Sequence, residues 1–327
     1  MSAQSFLRLV FCVALAGSAM IVQAADLAPA PSMDSIHFVI PGGAGGGWDR
    51  TARGVGEALV AAGLLRQATY ENLSGGGGAR GIAHTIELAD PRRLLVNSTP
   101  IVIRALQRVF PQSFRDLTPI ASVIGDYSVI AVREHSAHRS LQALLAAQRA
   151  TPRQVAFAGG SVPGGTDHIV AAMMVRDGGG DPRSTKYIPY DAGGKALAGL
   201  LSGEVAALSS GYSEVVDLAR QGWIRILCIA ALQRLPEAPD VPTCSEAGAP
   251  GAVFVNWRGF FAAPSLSSQQ ATAYRELLAE LRHSVAWQQV RQRHGWVDLY
   301  RAGADFERLL NEQEATLRTL MQELELL

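Results

Sequence analysis

The stretch Ile36-His-Phe-Val-Ile40 followed by Pro41-Gly-Gly-Ala-Gly-Gly-Gly-Trp-Asp49 reads as a short apolar strand that ends in a bare-backbone turn and opens a helix. Five glycines in nine residues leave the amides unshielded and free to take positive φ. A helix N-terminus beside such a turn holds anions, because its first N–H groups lack intrahelical partners. The pattern predicts a helix from Arg50 to about Ala62 with Asp49 as its cap.

The same junction recurs along the chain. Ser74-Gly-Gly-Gly-Gly78 follows a strand at Ala68–Glu71, Gly159 to His168 follows one at Val155–Ala158, and Asp191-Ala-Gly-Gly194 follows one at Lys186–Ile188. Further short β-branched runs lie at Leu94–Asn97, Val129–Val132, Ala206–Ser209, Ile224–Ile229 and Val253–Phe261. Helical periodicity separates most of them, at Ala79–Leu88, Ser140–Gln148, Asp167–Val175 and Lys195–Leu201, and closes the chain over Ser268–His283, Ala286–His294 and Asp305–Leu326. Strands alternating with helices predict doubly wound α/β sheets with parallel strands. All four glycine turns then fall at carboxyl ends of strands, the edge where ligands bind open α/β sheets. Glycines that merely make tight turns are the bland alternative; four at one kind of junction favour a site.

Residues 1–24 carry one charge, Arg8, an apolar segment Leu9 to Ile21 and small residues at Val22 and Ala24. This is the pattern of a cleavable export signal, with cleavage near Ala24 and a soluble, periplasmic product. The 29 basic and 29 acidic residues balance, and loss of Arg8 leaves a net charge of −1, so a nucleic-acid partner is not expected. A chain of 327 residues predicts two domains. Cys12 leaves with the signal, and Cys228 and Cys244 either pair in an oxidising compartment or stay as buried thiols.

Cofactor and catalytic signatures are weak. The turn at Gly42–Gly47 fits G-x-G-x-x-G only loosely, with Trp48 where the helix should pack on a pyrophosphate, and G-x-x-x-x-G-K-[ST] is absent from the sequence. The seven histidines show no metal spacing, Cys228 and Cys244 are not C-x-x-C, and Ser161 is only superficially a nucleophile elbow. Asp167-His168 is the nearest acid–base pair, but adjacent helical residues point about 100° apart. Thr166 or Asp167 is expected to cap that helix; His168 is either a ligand donor or a packed first-turn residue. No cofactor and no metal are expected.

Taken together, Ile40 to Asp49 with Ala52-Arg53, Glu71-Asn72 with Gly75–Gly78, Gly159-Gly-Ser161 with Gly165-Thr-Asp-His168, Ile188-Pro-Tyr190, Pro239-Asp-Val-Pro-Thr243 with Glu246-Ala-Gly248, and Asn256-Trp-Arg-Gly-Phe-Phe261 resemble the periplasmic substrate-binding proteins of tripartite tricarboxylate transporters, the TctC/Bug receptor family. The resemblance implies a type II periplasmic binding protein fold, two α/β lobes on a two-strand hinge with a ligand cleft between them. Residues 25–124 plus 231–327 would form one lobe and 125–230 the other. It also implies a non-enzymatic monomer that binds a citrate-like di- or tricarboxylate and hands it to one large and one small membrane subunit. A co-receptor presenting its ligand to a sensor kinase is the alternative, and an exported enzyme using Asp167 and His168 the more distant one.

By position, the resemblance assigns ligand contacts to Gly45, Gly46, Gly47, Trp48 and Asp49, with Ser98 and Thr99 after their strand. Ser161, Gly164, Gly165, Thr166 and His168 would face them, with Gly193, Gly194 and Ser210 behind. Trp48 is expected as a pocket wall and Arg53 as a loop brace. Two residues stay open: Arg258 either reaches a ligand carboxylate or is a solvated arginine beside a buried Trp257, and Asp191, where the family pattern often has a lysine or bulky residue, either points to solvent or alters ligand choice.

Overall fold

The computed structural model describes residues 33–327; the export signal and its cleavage near Ala24 lie outside the described residues. Its first part runs β1 (Ser35–Ile40), α1 (Gly47–Ala61), β2 (Gln67–Asn72), α2 (Ala79–Leu88), β3 (Arg93–Ser98) and α3 (Pro100–Gln107). The long strand β4 (Thr118–Arg133) follows, then α4 (Leu141–Ala150), β5 (Ala156–Gly159), α5 (Thr166–Asp177), β6 (Lys186–Pro189), α6 (Gly193–Ser202), β7 (Ala207–Gly211), α7 (Tyr212–Arg220) and β8 (Ile224–Ile229). The chain ends with β9 (Val255–Ala262), α8 (Ser268–His283), α9 (Val285–His294), β10 (Val297–Ala302) and α10 (Ala304–Glu323).

Strand β4 joins two sheets. Its first part, Thr118–Tyr127, pairs antiparallel with β9 and β10, and β9 pairs with β3 to complete the order β2-β1-β3-β9-β4. Its last residues, Ser128–Arg133, pair antiparallel with β7 and β8, and β7 leads to β5 and β6. Strands β2, β1 and β3 are parallel, as are β6, β5 and β7, because each is reached through a crossover helix. The expectation of parallel strands throughout is corrected at β4, β8, β9 and β10.

The sequence showed only Val129–Val132 of β4, because Gly125, Asp126 and Ser128 interrupt the apolar run. Tertiary partners carry the strand through. A side chain at Gly125 would lie 2.7 Å from Val255 and 2.9 Å from Val297, so glycine lets β9 and β10 close in. Asp126 and Ser128 are buried yet bonded: Asp126 accepts from Ser213, and the Ser128 amide donates to the Phe254 carbonyl. The helices α3 and α7 and the strand β10 were also missed; β10 is short and half exposed.

Each sheet is covered on both faces. Phe38 and Phe260 pack with Tyr274 and Trp287 under α8 and α9, while Trp257, Phe261 and Phe306 form an aromatic cluster beneath α10. On the second sheet Leu200, Val215 and Ile226 close a smaller core. Cys228 and Cys244 are joined in a disulfide, the oxidised of the two alternatives. The Cys244 amide donates to the Ile229 carbonyl at 2.9 Å, which lays the loop alongside β8 and brings the sulfurs together. Among the described residues no helix is long and apolar enough to cross a membrane.

Candidate ligand cleft

Three βα turns, the Ser74–Gly77 loop after β2 and the middle of β9 converge on a cleft of about 180 Å³ between the two sheets. The first turn ends β1. Helix α1 starts at Gly47 with extended Gly46 as N-cap, earlier than expected, and the Arg50 amide donates to the Gly46 carbonyl at 2.9 Å. Asp49 is therefore not the cap but a first-turn residue whose buried carboxylate braces the loop from behind. It accepts from the Gly45 amide at 2.9 Å, Arg53 Nε at 2.9 Å and Asn72 Nδ2 at 3.1 Å. The Trp48 indole N–H donates to Ser98 Oγ at 2.9 Å, and a side chain at Gly42 would sit 2.9 Å from its ring, so the bare turn is what lets the indole form a wall.

The second turn ends β5. Here too glycine, Gly165, is the N-cap, not Thr166 or Asp167. Asp167 and Ser161 instead clamp the turn reciprocally: the Ser161 amide donates to Asp167 Oδ2 at 3.0 Å, and the Asp167 amide donates to Ser161 Oγ at 3.0 Å. Thr166 lines the cleft, and its buried hydroxyl has no hydrogen-bond partner among the described residues. His168 faces the other way. Its ring is stacked on Tyr187 at 4.7 Å and accepts from the Gly164 amide at 2.9 Å through Nδ1. Burial pushes its pKa below the usual value, so it is neutral at neutral pH. Asp167 and His168 thus serve different partners and form no acid–base pair.

The third turn presents Ala192 as N-cap and Gly193 as the first residue of α6. A side chain at Gly160 would lie 2.3 Å from the Gly193 nitrogen, so the second and third turns touch backbone to backbone. Asp191 lines the cleft and reaches across it: it accepts from Ser74 Oγ and from Lys195 Nζ at 3.3 Å. The Ser74 hydrogen bond, with Lys195, holds its carboxyl below the usual range. Beside this bridge Gln107 Nε2 donates to the Gly164 carbonyl at 3.1 Å.

Behind the turns lies a charged network that the sequence left open. Arg258, only 2 % exposed, donates to fully buried Asp126 at 2.7 Å and to Glu214 at 3.4 Å, with Thr51 Oγ1 at 3.4 Å. It is neither a free carboxylate receptor nor a solvated arginine. Asp126 also accepts from the Ser213 amide and hydroxyl at 3.1 and 2.6 Å, tying α7 to β4. Burial pushes the Glu214 carboxyl up, Arg258 opposes this and Asp126 adds to it. Desolvation and then the Glu214 charge push Asp167 up to about 7.

Of the residues assigned from sequence, Gly46, Gly47, Trp48, Ser98, Ser161, Gly165, Thr166, Gly193 and Arg258 line the cleft. Gly45, Asp49, Thr99, Gly164, His168, Gly194 and Ser210 lie outside its lining. Thr99 is fully buried and engaged by Asn256 and Gln313, and Ser210 donates to Glu214. Missed were Arg104, Asn256 and Glu214; Ser74 was read only as part of a glycine turn, and Asp167 only as a helix cap or a catalyst. Arg104 and Glu214 stand on α3 and α7, so the rule that strand ends carry the site, applied after Ser98 and Gly211, would have found both. Arg104 donates to Gln107 through Nη1, while its buried Nε has no partner among the described residues. Among the described residues no cluster of His, Cys, Asp and Glu could hold a metal.

A family model described as the tripartite tricarboxylate transporter family receptor matches residues 74–326. The chain belongs to this family. BugT of Bordetella pertussis is 31% identical over 251 residues, 75% of this chain and 74% of the relative. Among solved structures, MatC from Rhodopseudomonas palustris with bound malate superposes with a TM-score of 0.78 at 21% identity, covering 88% of this chain and 98% of that one. An R. palustris protein, Rpa4515, with adipate gives a TM-score of 0.82 at 19% identity, covering 89% and 97%. The fold of this receptor is therefore the two-lobed α/β fold of periplasmic binding proteins, and the family's members are solute receptors of the periplasm.

Proposed function

We propose that this chain is an exported, non-enzymatic receptor that binds a small di- or tricarboxylate of the citrate-like class between its lobes. It delivers that ligand, as a monomer, to one large and one small membrane subunit of a tripartite tricarboxylate transporter. One observation carries the reading. Thr166, the first residue of α5, whose hydroxyl is unpartnered among the described residues, lines one cleft with Arg104, whose Nε is likewise unpartnered. Free N–H groups at a helix start and the Arg104 Nε–H are donors without acceptors, and each charge-assisted bond to a carboxylate contributes about 1.5–3 kcal/mol.

The two lobes are assigned to residues 25–124 plus 231–327 and 125–230, with β4 crossing at Gly125 and the return crossing near Ala230. The Ser74–Asp191 and Gln107–Gly164 bonds bridge them, which supports closure as the response to ligand: differential affinity for the closed state shifts the population. Malate and adipate, present in the two similar structures, fit the same chemistry. The test is a thermal-shift and calorimetric screen of the mature chain against carboxylates. A carboxylate that raises Tm in a concentration-dependent way is expected, because it binds only the native state; Thr166→Val and Arg104→Met should each weaken it about tenfold. No stabilisation by any carboxylate at millimolar concentration refutes the reading.

A further inference from the structure

We infer that Glu214 determines ligand charge: the cleft takes an acid with one or two carboxylates, and the Glu214 carboxylate excludes a third. The inference rests on the carboxylate-receptor reading and narrows it. Glu214 stands in the first turn of α7, and its side chain is 12 % exposed. A Cβ built on Gly193 would lie 1.6 Å from Glu214 Oε2, and one built on Gly47 would lie 2.7 Å from Oε1. The carboxylate thus fills the space between the first residues of α6 and α1. That is where helix N-termini would otherwise draw a ligand anion.

Burial raises the Glu214 carboxyl, while Arg258 and Arg50 favour its charged form. Arg258 is the cation nearest to Glu214, and it makes its shorter bond, 2.7 Å against 3.4 Å, to Asp126. One guanidinium therefore serves two carboxylates, and Asp167, which feels the Glu214 charge, lines the same end of the cleft. Ser210 contributes only a neutral donor at 3.2 Å. The remaining electropositive groups, Arg104 and the α5 N-terminus with its unpartnered Thr166 hydroxyl, can serve one or two carboxylates. A third would meet Glu214 in a site with little water, where like charges repel several-fold more strongly than in solution.

The matched pair glutarate and tricarballylate differs only by a third carboxylate. Titration calorimetry of the mature chain at pH 7.5 should show glutarate bound at least about tenfold more tightly, with succinate and citrate ordered likewise. Glu214→Gln keeps the side chain's size and an acceptor for Arg258, turns the Ser210 bond into one that Ser210 accepts, and removes the charge; it should shrink that ratio by about tenfold or more. Tighter binding of tricarballylate by the wild type, or an unchanged ratio in Glu214→Gln, overturns the inference and leaves the receptor reading standing. The wild-type ratio decides by itself should Glu214→Gln fail to fold. Binding of neither acid class refutes the receptor reading and this inference with it.

Discussion

Replacing Arg258 with Met keeps an unbranched stem in a fully packed site and removes the one cation beside Asp126. Asp126 is fully buried, so its charge cannot turn to water; it would keep only the two Ser213 bonds, at 3.1 and 2.6 Å. Breaking a buried pair by removing one partner costs about 3–5 kcal/mol, most of it the penalty of the stranded charge. At about 2–4 °C per kcal/mol for a domain of this order, Tm should fall by roughly 6–20 °C. Calorimetry and urea unfolding followed by circular dichroism would measure it. Adding Asp126→Asn should restore most of the loss, because the stranded charge is then gone. A loss below about 1 kcal/mol, or a double variant as unstable as the sum of the singles, would refute the reasoning.

Two further expectations concern the cleft and its pH dependence. Asp191→Ala removes the acceptor that Ser74 reaches across the cleft; because Asp191 is half exposed, ligand affinity should fall less than tenfold and small-angle scattering should show a more open unliganded protein. Affinity and radius both unchanged would show that the bridge holds nothing. For pH, Asp167 is raised to about 7 in the folded chain from 3.8, so the folded state binds this proton more tightly: its contribution is fully present below 3.8 and is lost as pH rises from 3.8 through 7. His294 is lowered to about 4 by burial and then by Arg293, so its contribution is present above 6.5 and is lost as pH falls from 6.5 towards 4. The two slopes oppose each other between about 4 and 6.5, so the wild-type urea midpoint should vary little there, while in Asp167→Asn it should rise with pH over that range; an unchanged pH profile in Asp167→Asn would contradict the assignment.

The glycine turns were legible because their chemistry is local. Pro41 to Asp49 must be a bare turn whatever the rest of the chain does, and helices such as α2, α8 and α9 show their period within a dozen residues. Placing Gly46, Gly47, Trp48, Ser161 and Gly193 at one cleft followed from the strand-end rule and the family resemblance. The N-caps were misplaced by one to three residues because Asp49 and Asp167 carry the right side chains for a cap. Each instead bonds back to the loop before its helix, to the Gly45 and Ser161 amides. Nothing local separates these two geometries.

Side chains whose role depends on what lies across the fold were decided by tertiary structure alone. Arg258 is 132 residues from Asp126, and Ser74 is 117 residues from Asp191; no spacing in the sequence encodes either meeting. Long β4 hid for the same reason, since Gly125 and Asp126 look like a break until β9, β10 and Ser213 supply their partners. By itself the sequence determined an α/β fold with bare glycine turns at strand ends, because backbone freedom and periodicity are properties of neighbouring residues. Only the tertiary structure decided the cleft's charge, because Glu214 and Asp126 share the Arg258 guanidinium only once two sheets are folded together on a single strand.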